Sequence, residues 1–207
     1  DIPGIILACP SNARDAGIMM IEAYRLAAEE NRVVVFLEPI ALYNTPDLIE
    51  SGDGLALAAY GNNQDTTPFG TAGLEGDPSR CDCLVISYGN GAFLSRQARH
   101  DLQADGITLA LLDLRWLHPL PIDDLLPAAR KAPRLLIVDE CRRTGSLSEA
   151  IMTALIEDGI SVPVRRITAD DSFIPLGTAA TLPLPSRDEI TKTVRDMLRT
   201  STIRAAE

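Results

Sequence analysis

The chain has 207 residues, 46% of them hydrophobic and 23% charged, with a formal net charge of -10 at pH 7. That length holds one large domain, or one domain and a piece of another, and the composition excludes disorder over most of it. So acidic a chain repels nucleic-acid phosphates and an anionic membrane surface, and it holds no apolar run of the roughly 18–20 residues that span a bilayer.

Ile5 to Cys9 is a short continuous apolar run stopped by Pro10, the pattern of a buried strand. The chain opens into it from Asp1 without a Met, which is the expectation for a fragment of a longer polypeptide. Ser11 and Asn12 offer an N-cap, and Ile18, Ile21, Tyr24 and Ala28 recur at helical spacing up to Glu30. Val33 to Leu37 is a second, β-branched strand ended by Glu38-Pro39. From Asn44 to Asp82 the pattern fades into Asn, Gly, Asp, Thr and Pro, with one apolar patch at Leu55 to Tyr60. This reads as a linker with one edge strand or turn, and as the domain boundary.

A regular alternation follows. Strands are expected at Leu84–Ile86, Thr108–Leu112, Leu135–Val138 and Val164–Ile167. Helices are expected from Gly89 to about Ala104, from Ile122 to Lys131 after Pro121, and from Ser146 to Glu157. A last helix is capped by Ser186 and runs through Leu198, with a frayed tail from Thr200 to Glu207. Strands alternating with amphipathic helices give an α/β fold: a three-layer αβα arrangement with a mostly parallel sheet, preceded by part of a second α/β domain.

The chemistry-bearing residues are sparse. Cys81 and Cys83 are spaced for neither a common disulfide nor a zinc knuckle, and Cys9 and Cys141 read as buried thiols. That is the usage of a reducing compartment, cytoplasm or mitochondrial matrix. Gly52-Asp53-Gly54 with Asn62-Asn63 reads as a loop turn. Gly89-Asn90-Gly91, between a strand and a helix, reads as a tight turn or, alternatively, an anion site. His100 lies near a helix C-terminus. His118, just past a strand end where α/β sheets place ligands, is an interface or loop candidate with Arg115 and Trp116. Asp139-Glu140 also ends a strand and reads as a corner salt-bridged to Arg142 and Arg143, or as an acid–base pair. Gly-x-Ser-x-Gly is absent around Ser146 and Ser148. The residues alone give no catalytic, cofactor-binding or metal-ligating set.

In order and spacing, however, several segments resemble the beta subunits of thiamine-diphosphate-dependent 2-oxoacid dehydrogenases, within the transketolase-like superfamily. These are Ile2-Pro3-Gly4-Ile5 with Cys9-Pro10-Ser11 and Asp15-Ala16; Val35 to Pro39 with Leu42-Tyr43; and Pro68-Phe69-Gly70-Thr71-Ala72. Further along they are Cys83 to Gly89; Asp113-Leu114-Arg115-Trp116-Leu117-His118-Pro119-Leu120; and Leu136 to Glu140 with Gly145 and Glu149-Ala150. The resemblance implies that residues 1–60 are part of a pyrimidine-binding domain, 61–82 a linker and 83–207 a transketolase C-terminal-like domain. It implies thiamine diphosphate and magnesium in the full enzyme, with none bound by this chain alone. The family's tautomer-driving glutamate, substrate histidine and magnesium motif belong to parts outside these segments, so no catalytic residue is carried over and the chain alone is expected to be inactive.

The implied partners are an alpha subunit or fused alpha part, a second beta copy, and the docking domain of a lipoyl acyltransferase, with no nucleic acid and no membrane. The implied function is the decarboxylating component of a 2-oxoacid dehydrogenase complex, this part serving assembly and docking. The alternatives are the C-terminal part of a transketolase or deoxyxylulose-phosphate synthase type enzyme, and a non-enzymatic α/β interaction module. Asp171 to Gly177 and Pro121 depart from the family pattern, as does the long helix before Val33, where relatives hold a monovalent cation. These departures suggest a divergent branch.

Overall fold

A computed structural model describes residues 2–59 and 67–204, the side chains of 200–204 excepted. Tyr60, Asn62-Asn63 and the final three residues lie outside them. The chain forms two sheets. The first is built by β1 (Ile5–Ala8), α1 (Ala13–Glu30) and β2 (Val33–Phe36), with β1 and β2 parallel. Asn12 caps α1: its Oδ1 accepts the Asp15 N–H at 2.9 Å, filling one of the orphan donors of the first turn. The helix ends on Asn31 in the left-handed conformation, φ 54°.

The second sheet contains β3 (Gly73–Glu75), β4 (Cys83–Ser87), β5 (Leu109–Asp113), β7 (Leu135–Arg142) and β8 (Val164–Ala169). Its strand order is β3-β5-β4-β7-β8, all parallel except β3, which runs antiparallel on the edge. The helices are α2 (Gly89–Gln103), α3 (Ile122–Lys131), α4 (Leu147–Glu157) and α5 (Arg187–Arg204).

The strands sort their side chains by alternation between two cores. Leu84, Ile86, Ala110, Leu112, Leu135 and Ile137 point to one face, where Leu125 and Ala129 of α3 and Ile151 and Leu155 of α4 cover them. Cys83, Val85, Leu109, Leu111, Leu136 and Val138 point to the other, under Ala98 and Leu102 of α2 and Ile190 and Val194 of α5. Strands covered on both faces read as continuous apolar runs, which is why β4 and β5 show no polar alternation. The result is the expected three-layer αβα fold with a mostly parallel sheet.

The edge strand expected in the 44–82 stretch is β3, and Leu55 and Leu57 are exposed loop residues. Three sequence readings need correction. Trp116–His118 is not loop but strand β6, and it pairs antiparallel with β1, closing the first sheet in the order β2-β1-β6. Helix α5 continues past Leu198 to Arg204. Cys141 is exposed rather than buried, whereas Cys9, Cys81 and Cys83 are buried thiols. Among the described residues no helix is long and apolar enough to cross a membrane.

Candidate functional site

The strand β6 carries the chain from the second sheet back to the first, and a buried polar network lies at that crossing. Cys9 N–H donates to the Arg115 carbonyl at 2.8 Å. Ser11, beyond the end of β1, is fully buried and donates its hydroxyl to Asp113 Oδ2 at the end of β5. Arg96 on α2 reaches the same carboxylate at 3.1 Å, Ser11 Oγ at 2.9 Å and Glu75 on β3 at 2.7 Å. Asp15 on α1 pairs with Arg115 at 2.8 Å. Asp113 is almost wholly enclosed, and burial pushes its carboxyl up against the pull of Arg96 and Ser11. Its Oδ1 has no hydrogen-bond partner among the described residues.

Ser11, Arg96 and Glu75 of this network line a cavity of about 690 Å³ at the C-terminal ends of β1 and β2. Met20, Ile21, Phe36, Leu42 and Phe93 are among its apolar walls, and Ser11, Glu38, Glu75 and Arg96 its polar side. The size and the mixture suit a small organic group or an inserted side chain. Part of the wall is the segment around Gly52-Asp53-Gly54. Asp53 accepts four backbone N–H groups, from Leu48, Ile49, Glu50 and Leu55, and these hold its carboxyl well below the usual carboxylate range against the opposing pull of desolvation. Both oxygens are committed, so this Asp builds a loop and is not presented to a metal.

A second crevice lies outside the C-terminal ends of β4 and β7, adjacent strands whose following helices run to opposite sides of the sheet. Such a switch point is where open α/β sheets bind ligands. Here the chain fills it. Glu140 Oε1 accepts the Asn90 side-chain amide at 2.6 Å and takes the anion position at the start of α2. Burial, with Asp139 alongside, raises its carboxyl above the ordinary value although the Asn90 bond opposes this. Asp139 accepts the Tyr88 hydroxyl at 2.6 Å, the Cys141 N–H at 2.9 Å and the Ser148 N–H at 2.8 Å. The corner is not salt-bridged to Arg142 or Arg143 as expected: its partners are Tyr88, Asn90 and backbone N–H groups. Burial, then Glu140 and Asp113, push the nearby Cys9 thiol up to about 12, which makes it a poor nucleophile.

The four sequence candidates separate. Arg115 adopts φ 59° and binds Asp15, with Gly73 so close that an added Cβ would sit 2.8 Å from its guanidinium. Trp116 is fully buried, edge-on to Phe69 at 5.2 Å. His118 is not at a ligand crevice but inside β6, opposite Leu7. Glu140 stands across the molecule's other crevice. The sequence does not single out Ser11, Arg96 or Asp113 as functional residues: Ser11 reads as a cap and, like Asp113, as part of a family-like segment, and nothing in the spacing of Arg96 on an amphipathic helix marks it.

Residues 74–183 match the family model described as the transketolase C-terminal domain. The chain belongs to the transketolase C-terminal domain family. It is 28% identical over 199 residues to the pyruvate dehydrogenase E1 component subunit beta of Bacillus subtilis, covering 95% of this chain and 56% of that protein. It is 32% identical over 211 residues to the 1-deoxy-D-xylulose-5-phosphate synthase of Gloeobacter violaceus, covering 99% of this chain and 30% of that protein. The family member thus spans about half the length of the curated E1 beta relatives it matches. Among solved structures, a split-gene transketolase described as an inactive beta4 tetramer shares the fold. Its TM-score is 0.70 at 18% identity, over 96% of this chain and 58% of that one. A 2-oxoglutarate:ferredoxin oxidoreductase from Magnetococcus marinus aligns with a TM-score of 0.60 at 14% identity, over 93% of this chain and 42% of that one.

Proposed function

We propose that this chain is the beta-type assembly portion of a thiamine-diphosphate-dependent 2-oxoacid dehydrogenase, comprising part of a pyrimidine-binding domain and the C-terminal domain. The observation that carries the proposal is the meeting of two motifs about a hundred residues apart. Ser11 and Asp15 of the first family-like segment bond Asp113 and Arg115 of the second, so the segments that resemble E1 beta subunits form one buried contact. The likeness to E1 beta subunits over 95% of the chain supports the same reading.

At the loop of Asp53 and at the start of α2, the described residues do not fit the cofactor's diphosphate or its magnesium. Asp53 spends its carboxylate on four backbone N–H groups, Glu140 fills the anion position of α2, and among the described residues no group of three or more His, Cys, Asp or Glu could hold a metal ion. Thiamine diphosphate and magnesium, in this proposal, are held by an alpha subunit or fused alpha part, and this chain contributes assembly. A second copy and a lipoyl acyltransferase docking domain are the further partners, in a reducing compartment. The net charge of -10 favours a basic docking surface on that partner.

The test is turnover by the assembled enzyme with thiamine diphosphate, magnesium and an artificial electron acceptor. Cofactor-dependent reduction with pyruvate, a branched-chain 2-oxo acid or 2-oxoglutarate is expected, and none by this chain alone. A second reading, a deoxyxylulose-phosphate synthase type enzyme, is favoured by the 32% identical relative. Formation of a phosphorylated ketose without acceptor reduction would replace the first reading by the second. Stable partner binding by an assembly that takes up no thiamine diphosphate would leave a non-enzymatic module.

A further inference from the structure

The cysteines divide between the two ends of the larger sheet. Cys83 opens β4 with Cys81 just before it, and Cys81 Sγ donates to the Pro78 carbonyl at 3.4 Å. Cys9 and Cys141 lie at the opposite end, beside the crevice of β4 and β7. Cys9 follows β1 of the first sheet, and Cys141 is near the end of β7 of the second. Both thiols touch the same pair of residues. Cys9 Sγ is packed on Gly89, where an added Cβ would lie 2.9 Å away. Cys141 Sγ is 3.5 Å from the Tyr88 hydroxyl. Cys9 and Tyr88 share one buried cluster, and a charge on Cys141 is among those that push the Cys9 thiol up.

The two thiols differ in access and in freedom. Cys141 is exposed, whereas Cys9 is buried. Strand β7 keeps its register with β8 up to Asp139 and resumes it at Arg142, so Glu140 and Cys141 form a bulge outside the ladder. A reagent in solution therefore meets Cys141 first, on backbone that the sheet does not pin, and Cys9 is the thiol behind it.

We propose that Cys141 and Cys9 close a reversible disulfide that locks the first sheet to the second under oxidising conditions. A disulfide holds its two Cα atoms about 5.5–6 Å apart, and the bulge is the part that moves to reach that separation. The oxidant is a small-molecule disulfide. Cys141, as thiolate, attacks one sulfur of it and releases one small thiol. Cys9, as thiolate, then attacks the Cys141 sulfur and releases the second. Two protein thiols are oxidised to one disulfide, the oxidant is reduced to two thiols, and each proton lost by a cysteine goes to a leaving thiolate. Burial makes Cys9 a poor nucleophile in solution, but attack within one molecule runs at high effective concentration. The closing step should quicken about tenfold per pH unit from pH 7 to 9, because the thiolate fraction rises in that proportion below the pKa. The bond joins β1 to β7 and closes a loop from residue 9 to residue 141, so the oxidised form should unfold at higher urea than the reduced one.

The test is disulfide mapping in the assembled enzyme, a readout that leaves the enzymatic proposal standing if the lock fails. The native protein is incubated with oxidised glutathione at pH 8, its remaining thiols are blocked, and it is digested with trypsin without reduction. The peptide that ends at Arg14 is expected to be joined to the peptide of residues 135–142, and a dithiol reductant should separate them. Cys141→Ser, on an exposed position, should abolish the link. Cys9→Ser should leave Cys141 carrying glutathione, with no link to any other cysteine. A persistent glutathione adduct on Cys141 in the unmodified protein, no reaction at either thiol, or a link through Cys81 or Cys83 would overturn the inference.

Discussion

Glu140 ties the end of β7 to the first turn of α2 from a half-buried position. Its carboxyl is raised above the ordinary value of 4.5, chiefly by burial. The native state therefore keeps its proton to higher pH than the unfolded chain does. Between the two pKa values the folded form binds more protons, and stability falls as pH rises. Glu140→Gln keeps an acceptor for Asn90 without the charge. Urea midpoints should place this variant above the unmodified protein at pH 7, with the gap closing as pH falls to about 4.5 and below. A gap that widens at low pH would mean that the carboxylate is stabilised by its surroundings.

At the scale of elements, the Gly89-Asn90-Gly91 turn is explained by close approach. Gly89 has φ +50°, and a Cβ on it would lie 2.9 Å from Cys9 Sγ. Gly91 would place a Cβ 2.5 Å from Ser87 Oγ, which is buried and donates to the Val138 carbonyl at 2.8 Å. The glycines bring α2 onto β4 and β7 rather than cradling a phosphate. Gly91→Ala should cost about 1–3 kcal/mol in denaturant titration, the usual penalty for overpacking a filled core. Ser87→Gly in the same chain should restore part of it. The turn was legible as a turn in the sequence, but what demands glycine at position 89 is Cys9, which lies far away in the chain.

At the scale of the whole molecule, β6 makes the two sheets interdependent. Trp116, the single tryptophan, stands in the first sheet, although the residues before and after it in the chain build the second. Ser11, Asp113, Arg96, Asp15 and Arg115 lock the same crossing. Tryptophan fluorescence should therefore report the same urea midpoint as far-ultraviolet circular dichroism, which is dominated by the helices of the larger layer. Two separated transitions would mean that the first sheet melts on its own.

The sequence by itself determined the αβα class, the mostly parallel sense of the main strands and the five helices. These follow from local periodicity, from caps such as Asn12 and Ser186, and from apolar runs long enough to be covered on both faces. It also carried the family-like segments, whose residues are near neighbours in the chain. Only the tertiary structure decided where those segments meet. Three-residue strands such as β3 and β6 carry too little pattern to announce themselves, and a left-handed Arg115 gives no signal in composition. The inter-sheet contact of Ser11 with Asp113 exists because β6 returns to β1, and a pairing between residues 102 positions apart is set by packing rather than by any local propensity.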